Sequence, residues 1–194
     1  MLKKTIAALT VMLITITMTG CWAAGYSNEG SDYVQSGSEY MDSFGGENIK
    51  TGDNVGKSAL RGRKLTLIYF WATYDSAGIR QFDTIEDIYA EYQNDGLNVI
   101  GVAVNTREKD KGVVQKKLKR ARKSIKEHKL TYMNIVPSED FVGRLHKSLE
   151  VMPTGIFVDE NGDQIGRDVG GVKKADEWKD LVSDYLDGKD DSKK

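Results

Sequence analysis

The chain has 194 residues, 39% of them hydrophobic, which suffices for one domain with its own core. Its 28 Lys and Arg against 29 Asp and Glu leave a formal net charge of -1, which excludes a bulk electrostatic attraction to nucleic acid. A lone cysteine, Cys21, excludes a disulfide within the chain.

At the N-terminus Lys3 and Lys4 precede an apolar stretch, Thr5 to Met18, too short to span a bilayer as a mature helix and suited to the core of an export signal. Met18-Thr19-Gly20-Cys21 then resembles a bacterial lipobox, with Met18 where leucine is more usual. Residues 1–20 are therefore expected to be a lipoprotein signal peptide and Cys21 the lipidated residue. That places the mature chain at the extracytoplasmic face of a bacterial cell membrane.

Residues 21–57 shift to Gly, Ser, Asn, Asp and Glu with few aliphatics, the composition of a flexible tether. Tyr26, Tyr33 and Tyr40 recur at seven-residue spacing, but one apolar position per repeat is too few for a coiled coil. Gly52-Asp53-Asn54-Val55-Gly56-Lys57-Ser58 has the look of a phosphate-binding loop that is one residue short. No apolar strand precedes it, so it reads as an irregular lead into the fold.

Residues 58–187 alternate strand and helix patterns. Leu65 to Phe70 is a β-branched and aromatic run, and Ile79 to Asn94 has a helical apolar face through Phe82, Ile85, Ile88, Tyr89 and Tyr92. Leu97 to Val104 reads as a buried strand after the turn at Asn94-Asp95-Gly96. Val113 to Lys129 reads as a helix with Val114, Leu118, Ala121 and Ile125 on its core stripe; Thr131 to Val136 as a strand; and Glu139 to Leu149 as a helix capped by Ser138. Gly155 to Asp159 and Asp163 to Val169 form a hairpin across Asn161-Gly162, Ala175 to Leu186 is a final amphipathic helix, and residues 188–194 are a charged tail. The expected class is an α/β three-layer sandwich, a central mixed sheet of about five strands flanked by helices.

Three segments carry a family resemblance: Phe70-Trp71-Ala72-Thr73 before the first long helix, Val151-Met152-Pro153-Thr154, and the Phe157-to-Gly162 strand and turn. In this order they resemble the TlpA-like and ResA-like thiol-disulfide oxidoreductases of the thioredoxin fold. The resemblance implies a thioredoxin-like sandwich and a cis Met152-Pro153 bond facing the Tyr74-Asp75 turn. It also places the family's two redox cysteines on Asp75 and Gly78, neither of which can form a thiolate.

The candidate site is thus Trp71, Tyr74, Asp75, Ser76, Met152, Pro153 and Thr154. Asp75 or Ser76 suits an N-cap, a structural role, while catalysis by the Asp75 carboxylate is the chemical alternative. Trp71 and Tyr74 either pack beside the site or form an aromatic wall for a ligand. The backbone of Met152 is placed to pair with an extended peptide, which makes a protein or peptide the expected partner.

His128 and His146 lie too far apart to form a local metal-binding pair, and no cofactor motif stands out. Lys116, Lys117, Arg120 and Arg122 lie on a strongly basic helix, read either as a solvated face or as a contact for an anionic surface. The expected role is a non-redox binding or assembly module. The alternatives are participation in envelope thiol-disulfide exchange through a redox-competent partner, and a structural spacer.

Overall fold

The computed structural model describes residues 41–189. The expected signal peptide, the lipid site at Cys21 and the tyrosine repeat lie outside the described residues, as do residues 190–194 and the side chain of His146. Among the described residues no helix is long and apolar enough to cross a membrane.

The central strand is β3 (Leu65–Trp71), buried at all seven positions. Alternation along it feeds two cores. Leu65, Leu67, Tyr69 and Trp71 enter one apolar cluster, while Ile68 and Phe70 enter a second on the opposite face. A strand covered on both faces is apolar at nearly every position, the buried Thr66 excepted, which is why this run reads as near-continuous rather than alternating.

β4 (Leu97–Ala103) lies parallel to β3, and β7 (Met133–Pro137) parallel to β4. β8 (Thr154–Asp159) pairs antiparallel to the other side of β3, and β9 (Gln164–Gly170) to β8. Between β3 and β4 run two helices, α1 (Ser76–Arg80) and α2 (Phe82–Tyr92), where the apolar periodicity predicts one. α3 (Gln115–Glu127) links β4 to β7, α4 (Glu139–Ser148) links β7 to β8, and α5 (Ala175–Leu186) ends the fold.

The first core holds Phe82, Ile85 and Ile88 of α2, Leu118 and Ala121 of α3, and Trp178 and Val182 of α5. Phe141 and Leu145 of α4 pack in the second. Trp71 and Phe82 meet edge to face with centroids 4.8 Å apart, and Phe157 meets Trp178 in the same manner at 6.2 Å. A short ribbon, β5 (Arg107–Glu108) with β6 (Gly112–Val113), precedes α3, so Val113 begins no helix.

The fold starts earlier than composition indicates. Residues 41–57, expected to belong to the tether, form a hairpin of β1 (Gly45–Asn48) and β2 (Asn54–Gly56). β1 pairs antiparallel with the outer edge of β7, giving a seven-stranded sheet in the order β2-β1-β7-β4-β3-β8-β9 rather than about five strands. Met41 and Phe44 are buried in the second core, Phe44 against Phe141 at 5.2 Å. The stretch resembling a phosphate loop becomes β2 and a 3₁₀ turn, Lys57–Leu60, with Lys57 paired to Asp42 at 2.6 Å.

Candidate functional site

The turn between β3 and α1 sits at the C-terminal end of the parallel strands, where ligands of open α/β sheets gather. Asp75 is the N-cap of α1. Its Oδ1 accepts a hydrogen bond from the Ala77 amide at 3.0 Å, and its carbonyl accepts from Ile79 N at 3.1 Å. The other carboxylate oxygen, Oδ2, is buried without a hydrogen-bond partner among the described residues. Ser76 opens the helix and faces solvent.

The carboxylate folds back over Gly78. A Cβ built on Gly78 would stand 2.6 Å from Asp75 Oδ2 and 3.3 Å from the Pro153 Cβ, so glycine is what allows Asp75, α1 and the proline loop to meet. The Met152-Pro153 bond is cis, and Pro153 is buried. Its loop is fixed on both sides: Thr154 Oγ1 donates to the Val151 carbonyl at 2.6 Å, and Gly171 N donates to the Pro153 carbonyl at 2.8 Å. Met152 itself joins no strand ladder and no turn hydrogen bond among the described residues.

Beneath the turn the Tyr69 hydroxyl donates to the Gly78 carbonyl at 3.0 Å. Burial, and then the nearby Asp75 carboxylate, push this phenol well above its ordinary range, so it remains a neutral donor. Gln81, 3% exposed where α1 gives way to α2, sends its amide nitrogen to the Lys173 carbonyl. Asn105, in the 3₁₀ turn that follows β4, accepts from Thr73 N and donates to Thr73 Oγ1, both at 3.0 Å. These contacts hold the Asp75 turn against three neighbouring segments.

Trp71 is not a wall of the site. It shares the inward parity of Leu67 and Tyr69, is fully buried, and donates its indole N–H to Asn134 Oδ1 at 3.1 Å. That amide lies where a Cβ on Gly101 would sit, 2.1 Å away. Tyr74, in contrast, is 73% exposed. It flanks a cleft of about 240 Å³ lined by Val104, Asn105, Leu145, Leu149 and Met152, with Glu150 at its rim. Its lining mixes apolar side chains with the polar groups of Tyr74, Asn105 and Glu150, which suits a side chain or small ligand of mixed character.

Asn105 and Tyr69 had signals in the sequence. Asn105 follows directly on a parallel strand, and Tyr69 precedes the turn with the parity of a residue beneath it. His128 contacts Asp83 Oδ1 at 2.8 Å through Nδ1. Among the described residues no group of three or more His, Cys, Asp or Glu is gathered as for a metal ion.

Strand order, helix placement and the Pro153 loop define a thioredoxin-like α/β protein. Residues 41–166 match the model of the AhpC/TSA family, and the chain belongs to that family. The fold is shared with solved structures of low identity. The thioredoxin domain of a thiol-disulfide oxidoreductase from Bacteroides vulgatus is 22% identical, with a TM-score of 0.58 over 73% of this chain and 91% of that one. A thioredoxin family thiol:disulfide interchange protein from Chlorobium tepidum is 17% identical, with a TM-score of 0.59 over 74% and 92%. StoA from Bacillus subtilis is 19% identical, with a TM-score of 0.52 over 72% and 95%. No curated protein sequence matches the chain.

Proposed function

We propose that this chain is a lipid-anchored, extracytoplasmic thioredoxin-fold protein that binds an extended peptide segment of a partner and carries out no dithiol chemistry of its own. The observation that carries this reading is the pairing of an open cleft beside Tyr74 and Met152 with a turn, Asp75 to Gly78, that holds no thiol. Disulfide exchange begins with attack of a thiolate on a disulfide sulfur. Cys21 is the one thiol in the sequence, and in this reading lipid caps it.

The family's redox cysteines, on this reading, correspond to Asp75 and Gly78. Asp75 places a carboxylate at the helix N-terminus in the position of a thiolate, which serves the same backbone N–H groups without its reactivity. The backbone of Met152, free of the ladders, offers a donor and an acceptor to an added strand, and the cleft receives one of its side chains.

Two measurements test it. Insulin reduction by dithiothreitol should run at the uncatalysed rate in the presence of the chain. A peptide selected against the chain should lose at least about tenfold in affinity with Leu149→Lys, which puts a charge into the cleft, while Tm stays within the range of a surface change. Catalysed turnover, or a peptide indifferent to Leu149→Lys, would falsify the reading.

The names of the solved neighbours favour a second reading, in which the chain presents a substrate disulfide to a cysteine-bearing oxidoreductase. Recovery of such an enzyme in pull-downs, lost with Leu149→Lys, would favour it over a role outside redox metabolism.

A further inference from the structure

The charge of this chain is segregated. Residues 115–129 hold eight Lys and Arg and one Glu, whereas the chain as a whole is balanced at 28 against 29. The structure shows how α3 arranges them. Leu118 and Ala121 are buried and Ile125 packs beside them, while Lys116, Lys119, Arg120, Lys123 and Lys126 are exposed. Lys116, Lys119, Arg120 and Lys123, at spacings of three, one and three, share the outward face, one ridge about 10 Å long on a helix of 13 residues.

Little within the fold neutralises that ridge. Lys117 is held by Glu108 at 2.6 Å, and the Arg122 Nε donates to the Ile49 carbonyl at 3.3 Å, both on the flanks. Lys123 meets Glu127 at 3.6 Å with both side chains mostly exposed, a contact of small consequence in water. Lys116, Lys119, Arg120 and Lys126 have no carboxylate partner among the described residues. A solvated helix that needed only solubility would mix signs at i and i+4, and this one does so once.

We propose that the outward ridge of α3 is a docking surface for anionic phospholipid headgroups, so that the domain lies against the bilayer on this helix. A membrane is favoured over a soluble polyanion by the sequence at the N-terminus. Cys21 stands twenty residues before Met41, so a lipid on it keeps the domain within about 70 Å of the bilayer whatever path the chain takes. Screening confines the attraction to about 8 Å at physiological ionic strength, so the ridge acts only on a surface brought that close. A straight line of cations on a rigid helix presents its charges together to a plane. The cleft beside Tyr74 and Met152 is not involved, and the proposal is independent of what binds there.

The test uses the full chain carrying Cys21→Ser, so that no lipid anchor intervenes. Its partition is measured onto phosphatidylcholine vesicles with and without phosphatidylglycerol, and the ratio of the two is the readout. The apolar leader and Lys3 and Lys4 are common to every variant. The chain should prefer the anionic vesicles, and Lys116→Gln, Lys119→Gln, Arg120→Gln and Lys123→Gln should each lower the ratio by about fivefold. Replacing Arg61, Arg63 and Lys64 by Gln, a basic cluster elsewhere, should leave it unchanged.

In the Cys21→Ser chain with α3 intact the ratio should fall steeply as salt is added, a check that needs no α3 variant to fold. Several results would overturn the proposal: a ratio of one, a ratio insensitive to salt, an unaltered ratio in the α3 variants, or an equal loss in the Arg61 cluster variant. So would binding of soluble polyphosphate with no preference for the anionic vesicles.

Discussion

The Asp75 carboxylate occupies the space that a side chain at residue 78 would need: a Cβ on Gly78 would stand 2.6 Å from Asp75 Oδ2. The two residues are one device. Asp75 caps α1 through Oδ1, and Gly78 gives Oδ2 somewhere to lie, although without a partner to accept from. Any change at one position is therefore conditional on the other.

Gly78→Ala should destabilise the protein by about 1–3 kcal/mol, because the methyl group meets the carboxylate and the Pro153 ring. Helix propensity alone predicts the opposite, a gain of about 1 kcal/mol for Gly to Ala. Asp75→Ser keeps a capping oxygen and removes the unpartnered one, so it should be close to neutral. In that background Gly78→Ala should become neutral or stabilising. Urea midpoints of the four chains check this reversal of sign, and simple additivity would show that the two sites are independent.

Asp75→Cys with Gly78→Cys should confer disulfide reductase activity where neither single change does. The double change removes the carboxylate that blocks a Cβ at 78 and sets the first sulfur at the helix N-terminus, where thiolates are favoured. Insulin reduction by dithiothreitol is the measurement. An inert double variant that forms its disulfide would mean that the cleft does not admit disulfide substrates.

The buried phenols of Tyr69 and Tyr132 set an alkaline limit on stability. Both are raised above the ordinary value of 10.0, mainly by burial, so folding favours their neutral forms. Their contribution is full below about pH 10 and lost above it, at about 1.4 kcal/mol per pH unit for each. Tyr69→Phe should remove one such slope and cost about 1 kcal/mol at neutral pH, through the lost bond to the Gly78 carbonyl. Tyr132→Phe should remove a slope at no neutral-pH cost, since its hydroxyl has no hydrogen-bond partner among the described residues. Stability measured from pH 8 to 11 distinguishes the two.

Much of this architecture was legible in the residues, and the exceptions have physical causes. The first six residues of β3, Leu65 to Phe70, and the span of α5 follow from apolar runs and periodicity because packing on a core made them so. The division of the helix at Gln81 did not show, since the residues on both sides keep the same apolar face. Trp71 was open to two readings from the sequence alone, and its parity with Leu67 and Tyr69 in β3 settles it as core. The Asp75 turn was visible as a motif, but its coupling to Gly78 depends on a distance that no pattern encodes. β1 was invisible because Gly45-Gly46-Glu47-Asn48 has no apolar alternation; its extended form comes from the edge of β7.

That edge yields the last expectation. A Cβ on Gly46 would lie 2.0 Å from the Val136 carbonyl oxygen and 3.1 Å from the Pro137 Cα, atoms of the β7 backbone that no rotamer change can move aside. Gly46→Ala must therefore displace β1, breaking its register with Ile135, Val136 and Pro137 and the bond from Ser138 N to the Gly45 carbonyl. It should cost about 2–4 kcal/mol and expose the segment around residues 41–57 to protease. Gly56→Ala, on the same hairpin but with nothing within 4 Å of its Cβ, is the matched control and should fall within about 0.5 kcal/mol of the unmutated chain. A chain begun at Ser58, the boundary that composition indicates, should behave like Gly46→Ala or worse, because it also removes Phe44 from its contact with Phe141. If it were instead as stable as the full chain, the hairpin would be an ornament on the sheet rather than part of its core.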